Sequence, residues 1–412
     1  MKGKQIGIFK LGWFIGVLSL FIFILLFGLV TTPALAKEKV VKIAHVCGLT
    51  GPIGIQRVLF QGRSDMFDFL NARGGIQGAD KVEILWADTQ YQLPAEISAY
   101  KKYVGEGIVA FHPVSTGGAI ELKGMAEKFG VPLIRTGGSY GEKVNPGWAH
   151  YIWPSYAEMN AALVDWFVKH MWKKPTPPKM AEIVTNTAYG RECEASFPYL
   201  KTKGIELVYK AYVEPVVMDL TPQITAAKAA GANILVGNNL IERKPLVRDI
   251  RRLGLDKELV MIIPWVFGAV SDYPEILTEG AGWTLGAIQV LVPDIEGQKG
   301  LGTIAKEFKD FVIKQRGAIP PPNMYWAANI DPIVSYKAIE LAIKKSGFEK
   351  LDGRAVNEQL EKIEVSEKEF FGLHPAVKAT PGKRGMTSLI IPVACEGGKL
   401  KALDGWIECP SL

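Results

Sequence analysis

This 412-residue chain has little of what most enzyme chemistry needs. It has four cysteines, Cys47, Cys193, Cys395 and Cys409, and their spacing fits no zinc or thiol-redox motif. Its five histidines, His45, His112, His150, His170 and His374, stand apart, and none has metal-ligand spacing. His45 and His112 fall in strand-like runs, where a histidine is more often a core or cleft residue than a base. There is no G-x-S-x-G elbow, no H-E-x-x-H and no carboxylate pair that stands out as an acid/base dyad. No basic tract suggests nucleic acid. These absences speak against an enzyme and leave no metal or cofactor to assign.

Long apolar runs are also scarce, with one exception at the start. Lys2, Lys4 and Lys10 precede an uncharged stretch, Leu11–Val30, and Ala34-Leu35-Ala36 follows. A charged head, an apolar middle and a small-x-small end make a secretory signal over residues 1–36, cleaved after Ala36. The alternative is an uncleaved anchor, because the run is long enough to span a bilayer. No cysteine stands at the cleavage position to carry a lipid. Cleavage removes three lysines, so the net charge falls from +6 to +3, nearly balanced. An extracytoplasmic compartment would permit a Cys395–Cys409 disulfide. The other reading is separate buried thiols. The turn at residues 397–399 would place Cys395 opposite a residue near Leu400 instead.

What the sequence does have is alternation. The apolar run 40–46 leads to a helical pattern near 56–73 with Val58, Leu59, Met66, Phe69 and Leu70 on one face. Strand-like runs at 82–87, 107–113 and 131–136 alternate with helices near 94–105 and 117–129. A second series follows, with strands at 181–185, 205–211, 233–237 and 258–264 and helices near 157–172, 190–203, 221–230 and 242–253. Strands separated by helices predict parallel sheets covered on both faces. The last third has a strand at 284–293, helices near 300–316, 327–345 and 353–363, and a closing hairpin over 387–409. That is too few strands for a further domain. We expect this third to be shared between two lobes, with lobe 1 formed by 37–154 and 286–384 and lobe 2 by 155–285 and 385–412. A ligand cleft would lie between them at the strand carboxyl ends.

The loop CGLTGPIGIQ (47–56) tests the nucleotide alternative. Its glycines follow G-x-x-G-x-x-G, not G-x-G-x-x-G, and no Gly-Lys-Ser/Thr follows. Pro52 removes one of the backbone N–H groups that would hold phosphate. The loop shapes a turn at a cleft mouth rather than a phosphate cradle.

LTGPIG (49–54), NARGGIQG (71–78), VSTGG (114–118), GVPLIRTGGS (130–139), AYGRE (188–192) and LVRDIRRLGL (246–255) occur in order over nearly the whole mature chain. Together they resemble the type I periplasmic solute-binding proteins of ABC importers, in the leucine/isoleucine/valine and amide-binding branch. The resemblance implies an α/β fold of two lobes, each a mostly parallel sheet flanked by helices, joined by a three-strand hinge. It implies a monomer in the periplasm or its extracytoplasmic equivalent, delivering a small solute to a membrane permease. It also implies site residues: Ser115, Thr116, Gly137 and Ser139 around the solute carboxylate, Gln56 over the solute, and Tyr189, Asn238 and Asn239 from the second lobe. After the strand ending near Ile263, amino-acid binders of this branch carry an acid for the ammonium. Here Trp265 stands at that place. A buried ammonium without a counter-charge is costly, so the expected ligand is a small carboxylate with an apolar or aromatic body between Tyr189 and Trp265. The alternatives are an amino-acid binder whose acid lies elsewhere, for example Glu242 or Asp219, and a sensor that signals to a membrane partner. Val114 stands where the branch has the second cysteine of a first-lobe disulfide, so that bridge is not expected.

Overall fold

The computed structural model describes residues 38–51, 57–214, 217–238, 243–265, 283–293, 295–297, 302–320, 324–396 and 399–412. The expected signal segment, Gln56, Asn239, Glu242 and the loop after Trp265 lie outside the described residues. Val40–Leu412 forms one unit, and Met1–Lys39 forms another.

The first half of the Val40–Leu412 unit builds one sheet. Strand β1 (Val40–Cys47) leads to helix α1 (Arg57–Ala72), β2 (Lys81–Asp88), α2 (Leu93–Gly105), β3 (Ala110–His112), α3 (Thr116–Phe129), β4 (Leu133–Arg135), the short α4 (Tyr140–Val144) and β5 (Ala149–Tyr151). The strand order is β2-β1-β3-β4-β5, and every pair is parallel. Apolar strands must be covered on both faces, and the α1 residues Leu59, Met66, Phe67 and Phe69 supply part of that cover. Ser115 caps α3, and Gly130 ends it in the left-handed conformation at φ 75°.

After β5 the chain enters the second sheet. Helix α5 (Tyr156–His170) starts on a Ser155–Glu158 capping box. Next come β6 (Met180–Thr185), a 3-10 turn at Gly190–Ser196, α6 (Phe197–Thr202), β7 (Leu207–Val213), α7 (Thr221–Ala229), β8 (Ile234–Val236), α8 (Arg243–Arg252), β9 (Val260–Ile263) and β10 (Thr284–Ile288). The chain then returns to the first lobe. Helices α9 (Lys306–Arg316), α10 (Met324–Ala327) and α11 (Ile330–Ser346) pack on α1, and α12 (Gly353–Leu360) packs on α11. Gly62 permits the close α1–α10 approach, since a β-carbon there would lie 2.1 Å from the Tyr325 carbonyl oxygen. A small antiparallel pair, β11 (Glu364–Val365) with β12 (Val377–Lys378), follows.

The chain finally re-enters the second sheet as β13 (Leu389–Glu396), β14 (Lys399–Ala402) and β15 (Ile407–Glu408). That sheet runs β14-β13-β10-β9-β8-β6-β7, with β15 on β13. Cys395 lies opposite Leu400, as the turn chemistry predicts, and the four cysteines are buried and not disulfide-bonded. The chain passes between the two sheets three times. Strand β10 belongs wholly to the second sheet, so the second passage comes after Ile288 rather than at 286. The passages are knitted together: Tyr151 N–H donates to the Arg384 carbonyl, and Thr387 N–H donates to the Ile152 carbonyl.

Candidate functional site

The carboxyl ends of β3 and β4 carry two turns singled out in the sequence. Ser115 follows β3. Its hydroxyl donates to Glu96 Oε2 at 2.5 Å and accepts from the Gly118 N–H at 2.8 Å. The Val114 N–H donates to Glu96 Oε1 at 2.9 Å, and the Ser115 N–H reaches the same oxygen at 3.3 Å. An internal carboxylate thus takes up the turn. Burial pushes the Glu96 carboxyl up, and these hydrogen bonds oppose the shift. Ser139 follows β4 and is engaged in a capping box. Its hydroxyl accepts from the Glu142 N–H at 3.0 Å, while its N–H donates to Glu142 Oε2 at 2.8 Å. Both serines are helix caps, and the expected role of direct carboxylate ligand does not fit the Ser115 hydroxyl, which already donates and accepts, whereas the Ser139 hydroxyl is engaged as an acceptor.

Between these turns lies a residue that the sequence reading passed over. Arg135 ends β4, and its side chain is 5% exposed. Its Nη1 donates to Glu142 Oε2 at 3.1 Å, and its Nη2 lies 3.5 Å from the Thr116 hydroxyl. The Glu142 carboxylate holds the arginine charged against the cost of burial. The Tyr156 hydroxyl is hydrogen-bonded to the guanidinium, and Tyr91 lies near enough to interact with its charge. Tyr91 is reached by unusual backbone, with Gln90 at φ 51° and Tyr91 at φ 60°. Non-glycine residues in that region are uncommon, and two in a row mark a constrained loop.

Gly137 permits the next contact. A β-carbon there would come within 2.6 Å of the Tyr156 hydroxyl. Tyr156 in turn stacks on Trp265 (5.9 Å, 20°) and meets Tyr189 edge-on (5.1 Å, 83°), while Trp265 meets Trp153 edge-on (5.8 Å, 81°). Trp265 is therefore an interior residue, 7% exposed, and not a surface ring. The indole N–H groups of Trp153 and Trp265 are buried without a hydrogen-bond acceptor among the described residues. Asn238 donates to the Tyr189 carbonyl at 3.1 Å, and its Oδ1 is buried without a donor.

The site also contains an acid from the second lobe. Glu192, in the turn after Tyr189, accepts from the Tyr140 N–H of α4 at 2.7 Å and so bridges the lobes. Burial first, and then the Glu142 charge, push its carboxyl up to about 7, against the pull of the Tyr140 N–H and Arg135. Glu192 ends the AYGRE motif, and its place in that motif was the available signal. Asp219, the acid proposed from the sequence, is exposed and engaged with Thr221 and Arg252. The structure thus brings together Thr116, Gly137, Tyr189, Asn238 and Trp265, and adds Tyr91, Arg135, Tyr156 and Glu192.

A second constellation looks catalytic in outline. The Ser335 hydroxyl lies 2.8 Å from His112 Nε2, and His112 Nδ1 lies 2.7 Å from Asp331 Oδ2. All three side chains are buried, Asp331 is also paired with Arg63 at 2.8 Å, and burial pushes the His112 imidazole down. A hydroxyl enclosed in the core cannot reach a substrate, so this network is a packed polar core. No group of histidine, cysteine and carboxylate side chains with metal-binding geometry occurs among the described residues. No helix among them is long and apolar enough to cross a membrane.

Residues 40–390 match the model of a family described as periplasmic binding protein. Among curated proteins, none matches the sequence. The fold is similar to a substrate-binding protein of an ABC transporter from Aeropyrum pernix (TM-score 0.74, 18% identity, 90% of this chain and 96% of that one). It is similar to a branched-chain amino acid ABC transporter protein from Thermus thermophilus with bound valine (TM-score 0.75, 16% identity, 90% and 97%). It is also similar to a solute-binding protein of an ABC transporter from Rhodopseudomonas palustris HaA2 in complex with p-hydroxybenzoic acid (TM-score 0.72, 17% identity, 90% and 98%). At these identities the likeness is one of fold.

Proposed function

This chain belongs to the periplasmic binding protein family, and from that premise we propose that it captures a small carboxylate with an apolar or aromatic body between its lobes. It would act outside the cytoplasm as a monomer, without catalysis, and deliver the solute to the membrane permease of an ABC importer. The observation that carries the ligand class is the aromatic cluster of Trp153, Tyr156, Tyr189 and Trp265 at the junction of the lobes. Such rings offer a large apolar contact together with polar edges. Two similar folds carry valine and p-hydroxybenzoic acid, so the architecture accommodates both kinds of body.

A second reading, an amino-acid solute, is favoured by one observation. Glu192 puts a buried carboxyl beside this cluster, where an ammonium could be neutralised. Calorimetric titration with benzoate, 4-hydroxybenzoate, aliphatic acids, leucine and phenylalanine separates the two. The first reading expects aromatic acids to bind without an amino group. Tight leucine binding with no response to the des-amino acids would overturn it and leave the second.

A further inference from the structure

A solute carboxylate entering this site must find donors that the protein has not already used. The two serine turns supply few, because Glu96 takes both the hydroxyl and the N–H of Ser115, and Glu142 takes the N–H of Ser139. A different group meets the requirement. Arg135 projects from the end of β4 toward the first rings of the aromatic cluster. One side of its guanidinium pairs with Glu142, the Tyr156 hydroxyl is hydrogen-bonded to it, and Nη2 makes a long 3.5 Å approach to Thr116. A hydrogen bond of that length is weak, and a planar guanidinium prefers to engage an oxyanion with two parallel donors. The two consecutive left-handed residues, Gln90 and Tyr91, set a phenol close enough to interact with the Arg135 charge. Backbone of this kind is strained and is typical of ligand clamps.

We propose that Arg135 is the anchor of the solute's carboxylate, which would lie against Nη2 with the hydroxyls of Thr116, Tyr91 and Tyr156 around it. This proposal rests on the solute-capture reading. It assigns the ligand's head to an arginine between the serine turns and its body to the ring cluster. Tyr156 links the two, since its hydroxyl faces Arg135 and its ring stacks on Trp265. Glu142 is a positioning residue here. It fixes Nη1, so that the donors left for a ligand point one way. Arginine binds a planar oxyanion in a fixed orientation, which lysine cannot reproduce.

The test compares each acid with its neutral amide, benzoate with benzamide and leucine with leucinamide, by calorimetry and tryptophan fluorescence. Wild type should prefer the acid of whichever pair binds by at least about 100-fold, since charge-assisted bonds are worth about 1.5–3 kcal/mol each. Arg135→Gln combined with Glu142→Gln removes both charges while keeping the Ser139 hydrogen bond. That double variant should lose the acid preference and retain amide binding. Arg135→Lys should restore only part of it. Tyr91→Phe deletes one hydroxyl without touching the buried pair, and should lower acid affinity about tenfold with little effect on the amide. An acid preference that survives in both the double variant and Tyr91→Phe overturns the anchor while leaving solute capture intact. Leucine binding with no benzoate binding overturns the aromatic-acid reading and leaves the anchor to be judged on the leucine pair. A wild type that binds neither acid overturns both.

Discussion

At the scale of single residues, Glu192 couples the binding site to protons. Its carboxyl is raised from 4.5 to about 7, chiefly by burial and further by the charge of Glu142, with Tyr140 N–H and Arg135 opposing. A raised acid pKa means that the neutral form is the one favoured in this arrangement. Above pH 7 Glu192 is ionised and repels an incoming carboxylate, whereas below pH 7 it is neutral and does not. The affinity for a carboxylate should therefore rise as the pH falls from 8 to 6, by at most about tenfold per unit, with proton uptake on binding. Calorimetry in two buffers of different ionisation enthalpy reads this directly, and Glu192→Gln should flatten the profile. An affinity independent of pH would place Glu192 outside the solute's field. Trp265 makes a complementary prediction. Trp265→Leu keeps an apolar group but loses the face stacked on Tyr156, so aromatic acids should weaken about 10- to 100-fold and aliphatic acids much less. Equal losses would show that the ring merely fills space. Trp265 and Tyr189 were legible in the sequence because they stand at strand ends in recognisable surroundings. Arg135 was not, because a charged residue closing VPLIRT reads as the exposed end of a strand, and only the fold reveals Glu142 and Thr116 beside it. Tyr91 was hidden for another reason. Its role depends on a left-handed backbone that nothing in DTQYQLP announces.

At the scale of elements, strand β6 carries a charge that the sheet does not accommodate. Glu182 is fully buried, both its carboxyl oxygens lack hydrogen-bond partners, and burial with the nearby Glu194 raises its carboxyl to about 8. Its neutral form is the one compatible with the fold. The stability it supports is thus complete below the unfolded value near 4.5 and is lost progressively as the pH rises toward 8. The loss is up to about 4 kcal/mol. Glu182→Gln should raise Tm at pH 8 and leave it little changed at pH 5, as read by thermal denaturation across that range. A uniform effect at both pH values would mean that Glu182 does not titrate in the fold. Most elements themselves were legible. The periodicity of 57–72, 93–105 and 156–170 marks amphipathic helices, and the apolar runs at 40–47 and 180–185 mark covered strands. The failures share a cause. Helix α4 has five residues, β5 three, and β11 and β12 two each, too short for any period to show. Yet α4 presents Tyr140 to Glu192 and Glu142 to Arg135, so one of the least legible elements organises the site.

At the scale of the whole molecule, the question is whether the two lobes respond to solute as one body. Three chain passages join them, but passages alone permit rotation, and hinges absorb such changes in a few residues. The ties across the junction are of another kind. The Glu192–Tyr140 bond and the rings running from Trp153 to Tyr189 engage both lobes, and the solute would lie among the same groups. A ligand can stabilise only the states it binds better. If it touches both lobes, it stabilises their joint unfolding, whereas a ligand held by one lobe would raise that lobe's transition alone. At a hundredfold its Kd a bound solute adds about 2.7 kcal/mol. Spread over the unfolding entropy of Val40–Leu412, this corresponds to a Tm rise of about 3–4 °C. Differential scanning calorimetry of residues 37–412 should therefore show a single transition moving up by that amount with saturating carboxylate. The same experiment on Glu192→Ala should show a smaller shift or a transition that separates into two, because one tie across the junction has gone while Arg135 still holds the ligand's head. A bound solute that lifts one part of a split transition in wild type would mean that capture is the work of a single lobe, and that the junction closes for reasons unconnected with its cargo.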